Sequence, residues 1–243
     1  MKYSFESRVR YSELGKDGRM ALYAMVNYLQ DCSTFQSEAV GKGIGYLREQ
    51  RKAWLLSSWQ IQIDRYPEID EKINISTWSY GCKSMYGYRN FAIKDSEDRY
   101  LLKANSVWVL YDVDRRRPIR VTEEDLRGYE AEEKLDMIYS ERKLRMPEQR
   151  EKRKPVPVTR CQIDTNGHVN NGQYIRVASE YIPEGFEVGG LCAEYKRAAL
   201  YGDTFYPETA GTENGCAVAL NDEMGKPYAV IVFQEAHGRG MGQ

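Results

Sequence analysis

The stretch "DTNGHVNN", residues 164 to 171, gathers carboxylate, amide and imidazole side chains, and His168 within it is one of only 2 histidines in the chain. Histidine titrates near neutrality and can take a proton from water, while a side-chain amide can donate to a carbonyl or fix a water molecule. Asp164, Asn166 and His168 alternate, so an extended strand leading into the next element aims all three the same way. That next element is a helix: in "GQYIRVASEYI" Ile175, Ala178 and Ile182 recur at i, i+3 and i+7. His168 and Asn170 then sit at its mouth, where unpaired backbone N–H groups and the positive dipole end can hold a developing oxyanion. A plainer reading stands beside this one. Asp, Asn and Gly form a turn here, and Asn170 caps the helix.

Other chemistry is poorly supplied. No GxGxxG follows a strand, and there is no Walker GxxxxGK[ST], HExxH or GxSxG. Lys plus Arg (35) nearly balances Asp plus Glu (36), so no global field draws the chain to nucleic acid or to an anionic membrane. The 5 cysteines are scattered without CxxC spacing, which argues for free thiols in a reducing compartment. The opening residues carry charges throughout, with no apolar core of a signal peptide, and no apolar run nears the roughly 20 residues of a membrane span. A cytoplasmic location is expected.

The scaffold that positions the candidate residues can be read by counting. Residues 20–40 place Leu22, Met25, Val26 and Leu29 at i, i+3, i+4 and i+7 and close on "GKG", which predicts a long helix with one buried face. Alternating segments follow at 59–64, 72–78, 89–94 and 103–112, as half-buried antiparallel strands require. The order then recurs. Residues 12–31 lie over 161–180 at an offset of 149, residues 64–77 over 196–209 at 132, and residues 91–95 over 218–222 at 127. Two similar modules are predicted, the first with a longer helix and an extra loop. In this register Gly15, Asp17 and Arg19 take the places of Asp164, Asn166 and His168, so the shared fold does not itself require the second set. Between the modules runs a charged, aperiodic stretch with 7 basic residues from Arg142 to Lys154. The expected division is a module at 1–129, ending after a short helix capped by Thr122, a linker at 130–154 and a module at 155–243.

Taken together, "YSELGKDGRMALYAMVNYLQD", "WLLSSWQIQIDRYP", "NSVWVLYDVDRRRPIRV" with "LRGY", "DTNGHVNNGQYI" and "EYKRAALYGD" resemble, in number and order, the acyl-acyl carrier protein thioesterases of plant plastids and bacteria. The resemblance covers nearly the whole chain. It implies an α+β fold, a tandem double hotdog in which each module is a long helix wrapped by an antiparallel sheet. It implies hydrolysis of the thioester that joins a fatty acyl chain to the phosphopantetheine arm of acyl carrier protein, ending elongation in fatty acid biosynthesis. No metal or organic cofactor is implied, and the lack of a transit peptide points to a bacterial member.

Within that family the D-x-N-x-H motif falls on Asp164, Asn166 and His168. His168 is then the general base for water, Asn166 positions that water or the carbonyl, and Asp164 orients both partners and favours the cationic imidazole. His237, in the tail, matches nothing and is expected to be exposed and dispensable. One departure stands out. After "EYKR", where the family carries a catalytic glutamate and plant members a cysteine, this chain has Ala198 and Ala199, leaving Glu194 and Glu180 as substitute carboxylates. The family's first module holds the acyl chain, which makes Met25, Leu29, Trp54, Leu55 and Leu56 wall candidates as well as ordinary core. Acyl carrier protein is acidic, so "DRRRPIR" at 114–120 or the linker cations should meet it; no nucleic acid or membrane insertion is expected, and a homodimer is left open. Two alternatives are retained: a thioesterase for coenzyme A esters, and a non-catalytic acyl-binding hotdog protein, for which Ala198 is the argument.

Overall fold

Where the apolar periodicity is 3.6 the chain coils, and where it is 2 the chain extends. The computed structural model describes residues 1–236 and divides into two units, Met1–Trp59 with Asp64–Ser140, and Gln60–Ile63 with the residues from Glu141 onward. Among the described residues no helix is long and apolar enough to cross a membrane.

The first unit contains β1 (Tyr3–Arg8), α1 (Leu22–Ala39), α2 (Ile44–Glu49), most of β2 (Lys52–Ile63), β3 (Lys72–Lys83), β4 (Tyr86–Lys94), β5 (Tyr100–Asp112), β6 (Arg117–Pro118) and α3 (Glu123–Leu126). Strand order is β1-β3-β4-β5-β2, with β6 on β5. Met25, Val26 and Leu29 of α1 are fully buried and the helix packs on β3. It stops at Val40, because Gly41 takes a φ of 71°, which favours glycine. Thr122 caps α3 as expected, its hydroxyl accepting from Asp125 N. On the sheet face away from α1, Trp78 and Ala92 pack with Leu135. The start of the charged stretch is tied there: Leu135 N donates to Asn90 Oδ1 at 3.0 Å and Trp78 Nε1 to Glu133 O at 2.8 Å. On the inner side Trp59 lies edge-on to Phe91, ring centroids 4.9 Å apart, and its buried Nε1 has no acceptor among the described residues.

The second unit repeats the plan with β7 (Glu151–Lys152), β8 (Val156–Pro157), α4 (Asn171–Ser179), β9 (Val188–Tyr195), β10 (Thr204–Thr212), β11 (Gly215–Asn221) and β12 (Pro227–Glu235). Strand order is β9-β12-β11-β10, with β7 and β8 on β10. Ile175 and Ala178 are fully buried beneath α4, whereas Ile182 falls beyond its end. At 9 residues α4 is half as long as α1 at 18, as the shrinking offset implied.

The counted correspondence reappears in the hydrogen bonds. In the β4–β5 turn Asp95 N donates to Arg99 O (3.0 Å) and Asp98 N to Asp95 O (3.2 Å); 127 residues on, Asp222 N donates to Lys226 O (2.9 Å) and Gly225 N to Asp222 O (3.0 Å). Asp64 N and Arg65 N share Leu101 O, just as Lys196 N and Arg197 N share Tyr228 O.

Candidate active site

The D-x-N-x-H residues do not lie on an extended strand. A β-bridge between Ile163 and Val169 closes them into a turn, in which Asp164 N donates to His168 O at 2.8 Å and Gly167 N to Asp164 O at 3.0 Å. Gly167 adopts a φ of 77°, a left-handed conformation that favours glycine. The alternation expected from the sequence gives way because Asp164 bonds its own backbone: Oδ1 accepts from Asn166 N (2.8 Å) and His168 N (3.3 Å). Its carboxylate therefore braces the turn. Asn166 is exposed, while Asp164 and His168 are half-buried.

Immediately downstream the plainer reading also holds. Asn170 caps α4, with Oδ1 accepting from Gly172 N at 2.8 Å. His168 thus precedes the helix start by a short step, where the dipole favours negative charge.

Tyr174 and Tyr195, which sequence patterns did not mark, and the backbone of Ala199 hold the turn against the sheet. Val169 N donates to Ala199 O (2.9 Å), Ala199 N donates to Tyr174 Oη (2.8 Å), and Tyr195 Oη donates to Asn171 O (2.9 Å). Tyr174 is buried against Tyr195 and Phe205, with centroids 5.6 and 5.5 Å away. Burial pushes its hydroxyl up to about 12; the Ala199 N–H opposes this, while Tyr228 and the nearby Asp164 and Asp203 carboxylates add to it. Only the apolar spacing of α4, which turns residue 174 inward beside Ile175, hinted at this role.

The first unit carries the same turn without the Asp, Asn and His set. A bridge joins Leu14 and Met20, Gly15 N donates to Arg19 O (2.8 Å), Gly18 N to Gly15 O (3.0 Å) and Met20 N to Pro67 O (2.8 Å). In that copy the Arg19 guanidinium lies over the Tyr66 ring at 4.9 Å. Counting across, Arg19 corresponds to His168 and Tyr66 to Ala198, and the Val169 N–H to Ala199 O bond joins the chain neighbours of residues 168 and 198. Ala198 is exposed and offers only a methyl group there.

Neither substitute carboxylate is brought to His168. Glu194 alternates with Tyr195 and so points to the opposite sheet face; its Oε2 accepts from Leu144 N (2.9 Å) and Lys196 Nζ (2.7 Å). Glu180 ends α4, on the order of 13 Å from its start at the helical rise per residue, and is exposed. Among the wall candidates, Met25, Leu29 and Leu56 are buried, Trp54 is half-buried and Leu55 is exposed. His237 lies outside the described residues.

Comparison with known proteins places this geometry in a family. Residues 1–129 match the family model described as acyl-ACP thioesterase N-terminal domain, and residues 145–226 the acyl-ACP thioesterase C-terminal domain. The palmitoyl-acyl carrier protein thioesterase of Gossypium hirsutum is 25% identical over 213 residues, covering 80% of this chain and 51% of the relative. The oleoyl-acyl carrier protein thioesterase of Coriandrum sativum is 26% identical over 275 residues, covering 99% and 74%. The chain thus spans about half the length of the first of these curated relatives. Among solved structures, an acyl-ACP thioesterase from Bacteroides thetaiotaomicron superposes with a TM-score of 0.87 at 22% identity, covering 97% of this chain and 98% of that one. The 12:0-ACP thioesterase from Umbellularia californica gives 0.83 at 19%, covering 97% of each. These likenesses show a shared fold, α+β with hotdog modules in tandem. With the first family model alone matching over half of its residues, the chain belongs to the acyl-ACP thioesterase family.

Proposed function

We propose that this chain is a cytoplasmic hydrolase of fatty acyl-acyl carrier protein thioesters, releasing free fatty acid and ending chain elongation. The observation that carries this reading is the pair of like turns, only the second of which holds Asp164, Asn166 and His168. His168 takes a proton from water as the water oxygen attacks the thioester carbonyl; the tetrahedral oxyanion is met by the start of α4 and by the Asn166 amide. Collapse breaks the C–S bond, and the imidazolium returns its proton to the leaving thiolate. Asp164 contributes by fixing the backbone N–H groups of both partners. The 1–129 module holds the acyl chain, the 155–243 module carries the motif, and residues 130–154 join them.

The hairpin Asp112–Arg117 with its sequel and the linker both offer cations to an acidic carrier. Among the described residues Arg116, Arg117 and Arg120 are exposed and make no ion pair, and the same holds for Lys143, Arg145, Lys152 and Lys154, whereas Arg115, Arg150 and Arg153 pair with Asp112, Glu208 and Glu151. Ala198 favours a second reading, an acyl binder without turnover.

Release of free fatty acid from acyl carrier protein substrates and from matching coenzyme A esters, by wild type and His168→Ala, separates these. Turnover on the carrier protein that falls with added salt, and a loss of about 10² or more in His168→Ala, are expected. No turnover on either carrier sinks the enzyme reading, and an active His168→Ala sinks the site.

A further inference from the structure

The chain on either side of the D-x-N-x-H turn continues a register that begins in the second unit's sheet. β8 pairs with β10 through Val156 with Phe205 and Pro157 with Thr204, and Val158 N carries the pairing on by donating to Asp203 O at 2.9 Å. Continued in step, this register sets Arg160 opposite Tyr201, and the Arg160 guanidinium does lie over the Tyr201 ring, 5.1 Å from its centroid. A capping box between Thr159 and Gln162 fixes the short helical turn Arg160–Gln162 on which the arginine sits. Gln162 O then accepts from Asn170 N at 2.8 Å, and Ala199 O from Val169 N at 2.9 Å. Both segments that carry the Arg160–Tyr201 pair are thus bonded to the residues that follow His168, and the pair stands on the rim of the candidate site.

This rim leaves two kinds of surface to solvent. One is apolar: Leu200 is 49% exposed and Tyr201 58%. The other is cationic. Arg160 is exposed, and among the described residues it makes no ion pair and donates no side-chain hydrogen bond. Arg197, at the start of the same loop, is by contrast held by Asp222 (2.8 Å) and by Lys226 O (2.9 Å) and stacks on Tyr228 at 4.5 Å. Stacking holds the Arg160 guanidinium against the ring and leaves its N–H edge free for an acceptor from solution.

The first unit shows that the fold does not ask for this pair. There Val9 N donates to Glu71 O (3.0 Å), as Val158 N does to Asp203 O, and at the offsets of 149 and 132 Tyr11 and Ile69 take the places of Arg160 and Tyr201. Both are exposed and neither is a cation. The arginine occurs only in the copy that holds Asp164, Asn166 and His168.

A thioester at His168 stays joined to its carrier, so the arm between them has to cross the rim of the site. That arm is a run of methylenes and amides ending in a phosphodiester. An apolar shelf beside an unpaired guanidinium matches this succession of groups, because arginine takes phosphate oxygens through parallel N–H bonds. Resting on the thioesterase reading above, we propose that Arg160, held flat by Tyr201, binds the phosphodiester of the carrier's phosphopantetheine arm, with Leu200 as the apolar rest for the arm.

The test separates the phosphate from the remainder of the arm. Calorimetry measures thioethers, which resist hydrolysis, carrying one alkyl chain on pantetheine, on phosphopantetheine and on coenzyme A. They are titrated into wild type, Arg160→Gln, Arg160→Lys and Tyr201→Ala, with thermal melting to confirm folding. Hydrolysis of the matching thioesters and of the acyl carrier protein substrate is followed in parallel. In wild type the phosphate should tighten binding about tenfold, as one charge-assisted pair does. Arg160→Gln should abolish that gain and Arg160→Lys keep most of it, both leaving the pantetheine thioether unchanged, while Tyr201→Ala cuts the gain to about threefold. On the carrier protein substrate, KM should rise about tenfold in Arg160→Gln at constant kcat. Equal binding with and without the phosphate in wild type overturns the subsite, as does a gain that survives Arg160→Gln or a loss that falls equally on the pantetheine thioether. A gain confined to coenzyme A overturns it too, since the nucleotide is then what is read. Absence of hydrolysis, with the phosphate gain present and lost in Arg160→Gln, overturns the enzyme reading and leaves the subsite standing.

Discussion

In the proposed mechanism His168 and Ala198 form the pair on which the chemistry turns. By the repeat, residue 198 takes the place that Tyr66 holds against Arg19 in the first copy, so that mechanism has a carboxylate installed there reach toward the imidazole. Ala198→Glu is therefore expected to raise kcat on carrier-bound substrate by about tenfold or more, with KM little changed, since one polarising group at a reacting centre is worth 10² to 10³. A folded variant with unaltered kcat removes residue 198 from the water's neighbourhood. At this scale the residue types are legible in the sequence, and their bonds are not. Asp164, Asn166 and His168 were legible as a set, but their alternation suggested a strand, since counting periods ignores an Asp side chain that bonds the next backbone N–H groups. Tyr174 and the Ala199 backbone were illegible, because their partnership spans 25 residues of chain.

Among the elements, the two turns offer a matched experiment. Gly18 and Gly167 share φ values of 76° and 77°, and a Cβ at either meets no atom within 4 Å. Alanine at each site thus pays only the left-handed backbone penalty, about 1–2 kcal/mol, which for a chain of this size lowers Tm by roughly 2–8 °C. Equal losses of Tm are expected for Gly18→Ala and Gly167→Ala, with turnover falling only in the second. Loss of activity in Gly18→Ala at matched stability contradicts the assignment of chemistry to one copy. Element order, the contrast between the long first helix and the short second, and all three offsets were legible, because helix and strand periods are local properties; the end of α4 before Ile182 and the helix α2 were not. Nor was the bond between Arg89 and Gln36 beneath α1, since an apolar count passes over both residues, which face inward only once the strands are in register.

For the whole molecule, the shifted titrations define a stability window. Glu71 is held below its ordinary value by its hydrogen bonds with Arg65, and Asp125, although burial opposes ionisation, is lowered by Lys52 and Thr122. The native state then binds fewer protons than the unfolded chain near pH 4, so their contribution is present above about pH 4 and is lost as pH falls through the lowered native values. Burial pushes Cys32 and Tyr174 up to about 12 from 9.0 and 10.0. Here the unfolded chain ionises first, so stability declines as pH rises from about 9 toward 12. Thermal melts across pH should show a plateau between roughly pH 5 and 9 with a fall on each side; a Tm that climbs above pH 9 contradicts these assignments.

Trp59 gives the molecule a signal of its own. Its indole N–H is buried without an acceptor, one register row from Arg89 through its contact with Phe91. An indole in such surroundings emits at short wavelength, because no polar neighbour relaxes around its excited dipole. Filling the first unit's interior should change that emission, so occupancy can be followed optically, without a label and before any bond is broken.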